Sequence, residues 1–293
     1  MSTRSPAHPV ETARSLLFVP ADRPQRLPKA LASGADAVIV DLEDAVAPAA
    51  RPAARVALQA AWNALAPQER DRVAVRINGV GTADHTDDVA LARQLAGAGL
   101  ECLVVPKAEA PEGLAALARA LPHGARSPGF SLVPLIESAE GAARLEAIAA
   151  VPGVVRLAFG HLDLQADLGM ACGPDEAELA PLRWALVLAS RRAGLPPPVD
   201  GVTTDLANAD RLAADTARAR RFGFGAKLCI HPSQVAGVHA ALAPTPAERA
   251  WAHRVLRAEA ESKGGACTVD GKMVDAPVIA LAQRLLRAAA PPP

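Results

Sequence analysis

Charged side chains stand directly behind short apolar runs along much of this chain. Asp41-Leu42-Glu43-Asp44 follows AVIV, Arg76-Ile77-Asn78 follows VAV, Lys107 follows LVVP, Glu137 follows LVPLI, and Asp163 closes Phe159-Gly160-His161-Leu162-Asp163. If the runs are buried strands lying side by side, their ends meet. Asp41, Glu43, Arg76, Lys107, Glu137 and Asp163 then converge on one small volume, where ionic groups are costly to bury without partners. Carboxylates outnumber cations in that set, which leaves negative charge for a divalent cation to neutralise. Oxygen donors with no cysteine or clear histidine set favour Mg²⁺ over zinc. Taken singly, each residue also has a plainer reading. Asp41, Glu43 and Asp44 can cap a helix, Arg76 can be a core ion pair, and Glu137 and Asp163 can sit in first helical turns. His161 and His231 read as structural. Their recurrence at successive run ends is what independent capping does not explain.

The elements needed to position these groups are legible. Eight short apolar runs, Ser15–Pro20, Ala37–Glu43, Arg72–Asn78, Cys102–Lys107, Ser131–Glu137, Val155–Gly160, Pro198–Val202 and Ala226–Ile230, are mostly unalternated, as buried parallel strands are. Helical periodicity follows at Arg23–Ser33, Arg51–Leu65, Asp84–Ala98, Glu112–Leu121, Ala139–Ala149, Glu176–Arg192, Ala209–Arg221 and Ser233–Leu242. Eight β–α units predict an α/β chain closed as a (β/α)₈ TIM barrel, which needs about 250 residues. The barrel is expected over residues 13–243. Residues 244–293 form a C-terminal extension: a helix over Thr245–Lys263, an Asp270-Gly271 turn between short extended pieces, and a helix over Pro277–Ala290. Its polar residues suggest that it covers an active site.

The totals exclude several roles. Lys+Arg 31 balances Asp+Glu 31, so no global charge draws the chain to nucleic acid or an anionic membrane. Tyrosine is absent and aromatics are 3%, which removes base-stacking platforms. No apolar run approaches the ~20 residues that span a bilayer. The four cysteines, Cys102, Cys172, Cys229 and Cys267, form no CxxC pair, and three of them, in apolar or helical surroundings, read as buried small hydrophobes. A soluble cytoplasmic protein with a loose Met1–Thr12 is expected.

Several segments resemble one family. Arg14–Pro20, Asp41-Leu-Glu-Asp-Ala-Val46, Val75-Arg-Ile-Asn78, Val105-Pro-Lys107, Leu135-Ile-Glu-Ser-Ala139, Asp163-Leu164 with Asp167-Leu-Gly169, Cys229–Gln234 and Gly271–Pro277 are similar, in order, to citrate lyase β-subunit-like proteins. These belong to the HpcH/HpaI aldolase/citrate lyase group, with malyl-CoA and citramalyl-CoA lyases as relatives. The resemblance implies Mg²⁺ held by Glu137 and Asp163, and Arg76 on the substrate oxygens. It implies Glu43 and Asp44 near the metal's waters, and Arg26 and Lys29 on CoA phosphates, with Lys107 also at the substrate. Asp275 matches a tail aspartate that reaches a neighbouring subunit's site in a trimer or a dimer of trimers. Two positions depart from the pattern: Ala21 replaces a glycine and Leu162 an acid.

The chemistry so implied is retro-Claisen cleavage of a malyl-, citramalyl- or citryl-type thioester into an acetyl thioester and an α-keto acid, by an oxo-acid lyase. Asp275, then Glu43, are the candidates for moving the proton. An acyl-carrier-dependent citrate lyase β subunit fits the same residues, as does a net reaction that also hydrolyses the thioester. A class II 4-hydroxy-2-oxoacid aldolase would need neither Arg26 nor Lys29, and usually has an early histidine that Ala21–Asp44 lacks. A non-catalytic assembly subunit should have lost at least one proposed ligand.

Overall fold

Eight short strands, too apolar to face water on either side, close on one another through parallel ladders. In the computed structural model, which describes residues 8–121, 130–262, 265 and 267–289, the order is β1 (Ser15–Pro20), β2 (Ala37–Asp41), β3 (Val73–Arg76), β4 (Cys102–Val105), β5 (Ser131–Ile136), β6 (Ala158–Phe159), β7 (Val199–Asp200) and β8 (Ala226–Cys229). β8 pairs back with β1, so this is a closed (β/α)₈ barrel with no free edge. Two compact units partition the chain, Met1–His239 and Ala240–Pro293.

Strand alternation decides which side chains fill the barrel. Leu16, Ala37 and Ile39, Ala74, Cys102 and Val104, Val133 and Leu135, Ala158, Val199, and Ala226 and Leu228 form one interior cluster, with Phe18 packed against it. The intervening residues, such as Val38, Val40, Val75 and Ile136, are buried on the outer face. Helices supply the cover there. Ala54, Leu58 and Trp62 recur every fourth residue of the helix Arg51–Ala64 and are its buried positions.

The interior is extended by the end of the Met1–Thr12 segment, for which a loose chain was expected. Pro9–Thr12 is a helical turn, and Val10 and Ala13 join the interior cluster. Buried Arg156 holds this stretch by donating to the carbonyls of Val10 and Ala13 at 2.9 and 2.6 Å, and to that of Pro197 at 2.7 Å. Two of these carbonyl contacts, to Val10 and Ala13, tie down residues 8–13; the rest of the expected loose leader, residues 1–7, lies outside the described residues.

Other departures are local. The helix expected over Ala139–Ala149 breaks at Arg144 into Ala139–Ala143 and Leu145–Ala149. The one expected over Arg23–Ser33 is a 3-10 turn, Pro24–Arg26, and a short helix, Leu27–Leu31. An additional helix, His161–Leu168, follows β6. Cys102 and Cys229 are buried as expected, whereas Cys172 and Cys267 are half-buried, and all four are free.

The second unit holds the helices Pro246–Ser262 and Ala276–Ala289 and a hairpin of β9 (Cys267–Val269) and β10 (Lys272–Val274). Asp270 and Gly271 have φ of +52° and +75°, the pair of left-handed residues that a two-residue hairpin turn requires. Ala252, Val255, Val269, Val274 and Ala282 make its small core. Among the described residues no helix is long and apolar enough to cross a membrane.

Candidate active site

The inward alternation that fills the barrel continues into its mouth with charged residues. Asp41 extends the row Ala37, Ile39; Arg76 follows Ala74; Glu137 follows Val133, Leu135. Asp41 and Arg76 are register partners across β2 and β3, so their side chains leave the same face at the same height. The result is a two-pronged ion pair. Arg76 Nε donates to Asp41 Oδ1 at 2.7 Å and Nη2 donates to Oδ2 at 2.6 Å. Asp41 also accepts from the backbone of Glu43 and Ala45, each at 3.0 Å. Arg76 Nη1 lies 2.9 Å from Glu43 Oε2 and 3.5 Å from Asp44 Oδ2, and its guanidinium stacks 4.7 Å from the Phe18 ring centre. These partners hold Arg76 charged, against the burial that opposes it.

Glu137 sits immediately after β5 and is fixed from two sides. Its Oε1 accepts from the backbone N–H of Lys107 at 2.7 Å. Lys107 adopts a left-handed φ of +45°, rare for a non-glycine residue and a strain characteristic of functional sites. Its ammonium reaches Glu43 Oε1 at 3.1 Å. On the other side Gly160 lies flat against Glu137: a Cβ there would stand 2.3 Å from Oε2 and 2.5 Å from the Glu137 Cβ. Burial first, then the Glu43 carboxylate and, less, that of Asp163, push the Glu137 carboxyl up to about 8. Burial likewise raises Glu43.

Asp41, Asp44, Arg76, Glu137 and Asp163 line a single cavity of about 320 Å³, whose other walls are largely apolar. Four carboxylates face one cation there, and that cation is already engaged by Asp41. Among the described residues no group of three or more His, Cys, Asp or Glu is placed to hold a metal ion. Glu137 and Asp163, carboxylates on one cavity, are hard oxygen donors of the kind Mg²⁺ takes one or two of while keeping water in its other positions.

The expected site residues separate into three groups. Arg76, Asp44, Glu137 and Asp163 line the cavity, while Glu43 and Lys107 stand behind that wall, joined to it through Arg76 and Glu137. Arg26 and Lys29 are exposed, in the turn and short helix after β1, and are not part of the lining. Asp275 belongs to the second unit, where its Oδ1 caps the last helix by accepting from Val278 N at 3.2 Å. His161 lines the cavity, buried, with Nε2 3.8 Å from Glu176. His231 is exposed and bonded to Ser233 at 2.8 Å.

Against known proteins, residues 14–232 match the model of one family, HpcH/HpaI aldolase/citrate lyase. The chain belongs to the HpcH/HpaI aldolase/citrate lyase family. A solved relative, the protein CitE from Mycobacterium tuberculosis in complex with magnesium, acetoacetate and coenzyme A, is 38% identical over 95% of this chain and 98% of that one, with a TM-score of 0.82. The citrate lyase β subunit of M. tuberculosis complexed with oxaloacetate and magnesium is 36% identical, covering 81% and 100%, with a TM-score of 0.68. A (3S)-malyl-CoA thioesterase of Cereibacter sphaeroides (strain ATCC 17029 / ATH 2.4.9) is 34% identical over 92% of each chain.

Some of this family member's site residues escaped the sequence reading. Gly160 was seen only as part of a motif, and nothing local signals that Glu137 presses on it. Phe18 stands inside the apolar run Ser15–Pro20, with nothing local to mark it as the ring on which Arg76 stacks. An ionic group behind His161, in which Glu176 meets Arg183, Arg211 and Arg218, lies on segments too far apart in sequence to be linked beforehand.

Proposed function

We propose that this chain is a Mg²⁺-dependent carbon–carbon lyase for a hydroxyacyl-CoA-type thioester, splitting it into an acetyl thioester and an α-keto acid. Family membership supplies the lyase class, and solved relatives carry magnesium and coenzyme A. The single observation that carries the reading is the joint presence of Glu137, Asp163 and Arg76 on one cavity wall. Glu137 and Asp163 would hold the metal. The chemistry a bound magnesium supplies is Lewis-acid polarisation of the hydroxyl or keto oxygen.

The chain's own residues do the rest. Two of Arg76's donors are committed to Asp41, which fixes the guanidinium plane, and Nη1 faces Glu43; the group adds fixed positive charge beside the substrate oxygen on which negative charge develops. Phe18, stacked on the guanidinium, keeps water from its flank, strengthening that interaction. The bond between the hydroxyl-bearing carbon and the carbon next to the thioester breaks, and the hydroxyl proton ends on the latter. No oxidant or water is consumed. Asp275, supplied by a neighbouring copy in a trimer or a dimer of trimers, is our candidate for moving that proton, with Glu43 next. Arg26, Lys29 and Lys107 are assigned to the CoA arm, where phosphate needs point charge and fork donors. An acyl carrier's prosthetic arm would use the same groups, and the cytoplasm is the compartment we assign.

The relative named a malyl-CoA thioesterase favours a second reading, in which the thioester rather than the carbon–carbon bond is hydrolysed. A panel of hydroxyacyl-CoA esters with Mg²⁺ separates them. Keto acid released with an acetyl thioester supports the lyase; free CoA thiol without keto acid supports the hydrolase. Mixing Asp275→Ala with Glu137→Ala protein tests the shared site. Activity regained on co-assembly supports the neighbouring-copy role, and its absence with both variants assembled refutes it.

A further inference from the structure

The helix His161–Leu168, which carries Asp163 in its first turn, is short and thinly held. It buries only His161 and Leu164, and its N-cap, Gly160, has no side chain to close it. Further along, Asp167 Oδ2 accepts from Ala139 N at 2.7 Å. The two carboxylates assigned to the metal are therefore fixed unequally. Glu137 accepts from Lys107 N and presses on Gly160, whereas no hydrogen bond or ion pair among the described residues reaches the carboxylate of Asp163. What places Asp163 is the helix beneath it.

The start of that helix is wedged. The His161 ring is buried between the ends of β6 and β7, tilted against Phe159 with ring centres 6.0 Å apart. A Cβ on Gly201 would stand 2.0 Å from its Nδ1 and 2.7 Å from its Cε1, and the three atoms nearest to such a Cβ all belong to His161. Its Nε2 faces Glu176 Oε1 at 3.8 Å. Neither wall gives easily. The Gly201 carbonyl accepts from the buried Lys227 ammonium at 2.6 Å. Glu176 accepts from Arg183, from Arg211 at 3.2 Å and from Arg218 at 2.8 Å. The lyase chemistry uses none of these ionic groups. Buried ion pairs are a weak source of stability, so their geometric effect is the one to read: they hold still the walls behind His161.

We propose that His161 is a positioning residue for the metal: wedged between Gly201 and Glu176, it sets where the first helical turn presents Asp163. This rests on the lyase reading above, in which Asp163 is a metal ligand. His161 precedes Asp163 by two residues in the same turn, so a displaced ring moves the start of the helix and the Asp163 backbone with it. Groups standing behind a metal ligand are typically worth about 10–100-fold in metal affinity.

The test is calorimetric Mg²⁺ binding to the full-length protein in the presence of pyruvate, with urea unfolding run beside it. His161→Ala should stay folded and lose at least about tenfold in Mg²⁺ affinity. Leu58→Ala, in the helix Arg51–Ala64 and outside the cavity lining, is the control: it should lose stability and keep wild-type affinity. Gly201→Ala drives a Cβ into the ring and should also lose at least about tenfold. In the His161→Ala background that Cβ meets no ring, so the double variant should bind Mg²⁺ as His161→Ala does. Losses that multiply in the double variant would overturn the wedge. If Gly201→Ala does not fold, His161→Ala set against Leu58→Ala decides alone. One Mg²⁺ per wild-type chain with unaltered affinity in His161→Ala sinks the positioning role and leaves the lyase reading standing; no Mg²⁺ bound by the wild type sinks both.

Discussion

Gly160→Ala isolates the geometry of Glu137 from its chemistry, because it leaves every charged group in place. The added Cβ would stand 2.5 Å from the Glu137 Cβ and 2.3 Å from its Oε2. An ordinary contact begins near 3.4 Å, so the Glu137 Cβ must retreat by about 0.9 Å, and it is tied to the backbone at the end of β5. The carboxylate would then lose either its 2.7 Å bond to Lys107 N or its position on the cavity wall. Overpacking of this kind costs about 1–3 kcal/mol of stability. Misplacing a reacting group by ~1 Å costs about 10²-fold in rate. The assay pairs urea unfolding with Mg²⁺ titration of turnover. The variant should stay folded, lose about 10²-fold in kcat/KM and need far more Mg²⁺. Gly113→Ala is the control: its Cβ would meet only side-chain atoms at 3.8–3.9 Å in the helix Pro111–Ala120, so stability should hold or rise by up to ~1 kcal/mol. Wild-type Mg²⁺ response in Gly160→Ala would refute the placement of Glu137 as a ligand.

Three further outcomes follow from the same geometry. Arg76→Lys keeps the charge but not the fork, so kcat should fall by about 10²–10³ while the fold survives, as read by kinetics beside circular dichroism. Arg26→Ala with Lys29→Ala should raise KM for CoA esters and spare a truncated thioester; equal effects on both would end the phosphate assignment. The EDTA-treated protein should lose stability as pH rises. Glu137 is raised in the fold, so its contribution is complete below its ordinary value of 4.5 and is lost as pH passes through about 8. Thermal melts across that window should fall without metal, and the Mg²⁺-induced rise in Tm should grow with pH, since metal and proton compete for the carboxylate. A flat EDTA profile would contradict this.

The barrel was readable because its strands are buried on both faces and carry almost nothing but apolar residues. The charged wall was readable for the same reason, since Asp41, Arg76 and Glu137 continue rows of alternate inward residues. Boundaries failed where tertiary contacts decide them. A helix was expected from Glu176, but Glu176 has a left-handed φ of +49°, with its carboxylate against Arg183, Arg211 and Arg218, and the α-helix starts at Ala180. The helix His161–Leu168 buries only His161 and Leu164, too little to leave an apolar stripe in the sequence. Arg26 and Lys29 were placed by resemblance, and their exposure gives no independent geometric support.

The most direct measurement of the central claim is Mg²⁺ binding by calorimetry, in the presence of a keto acid, for the wild-type chain, Glu137→Gln and Asp163→Asn. One metal per chain in the wild type, and at least about a tenfold loss of affinity in each variant, is the predicted result. Unchanged affinity in either one would mean that the two carboxylates do not share an ion, and the lyase mechanism built on them would be wrong.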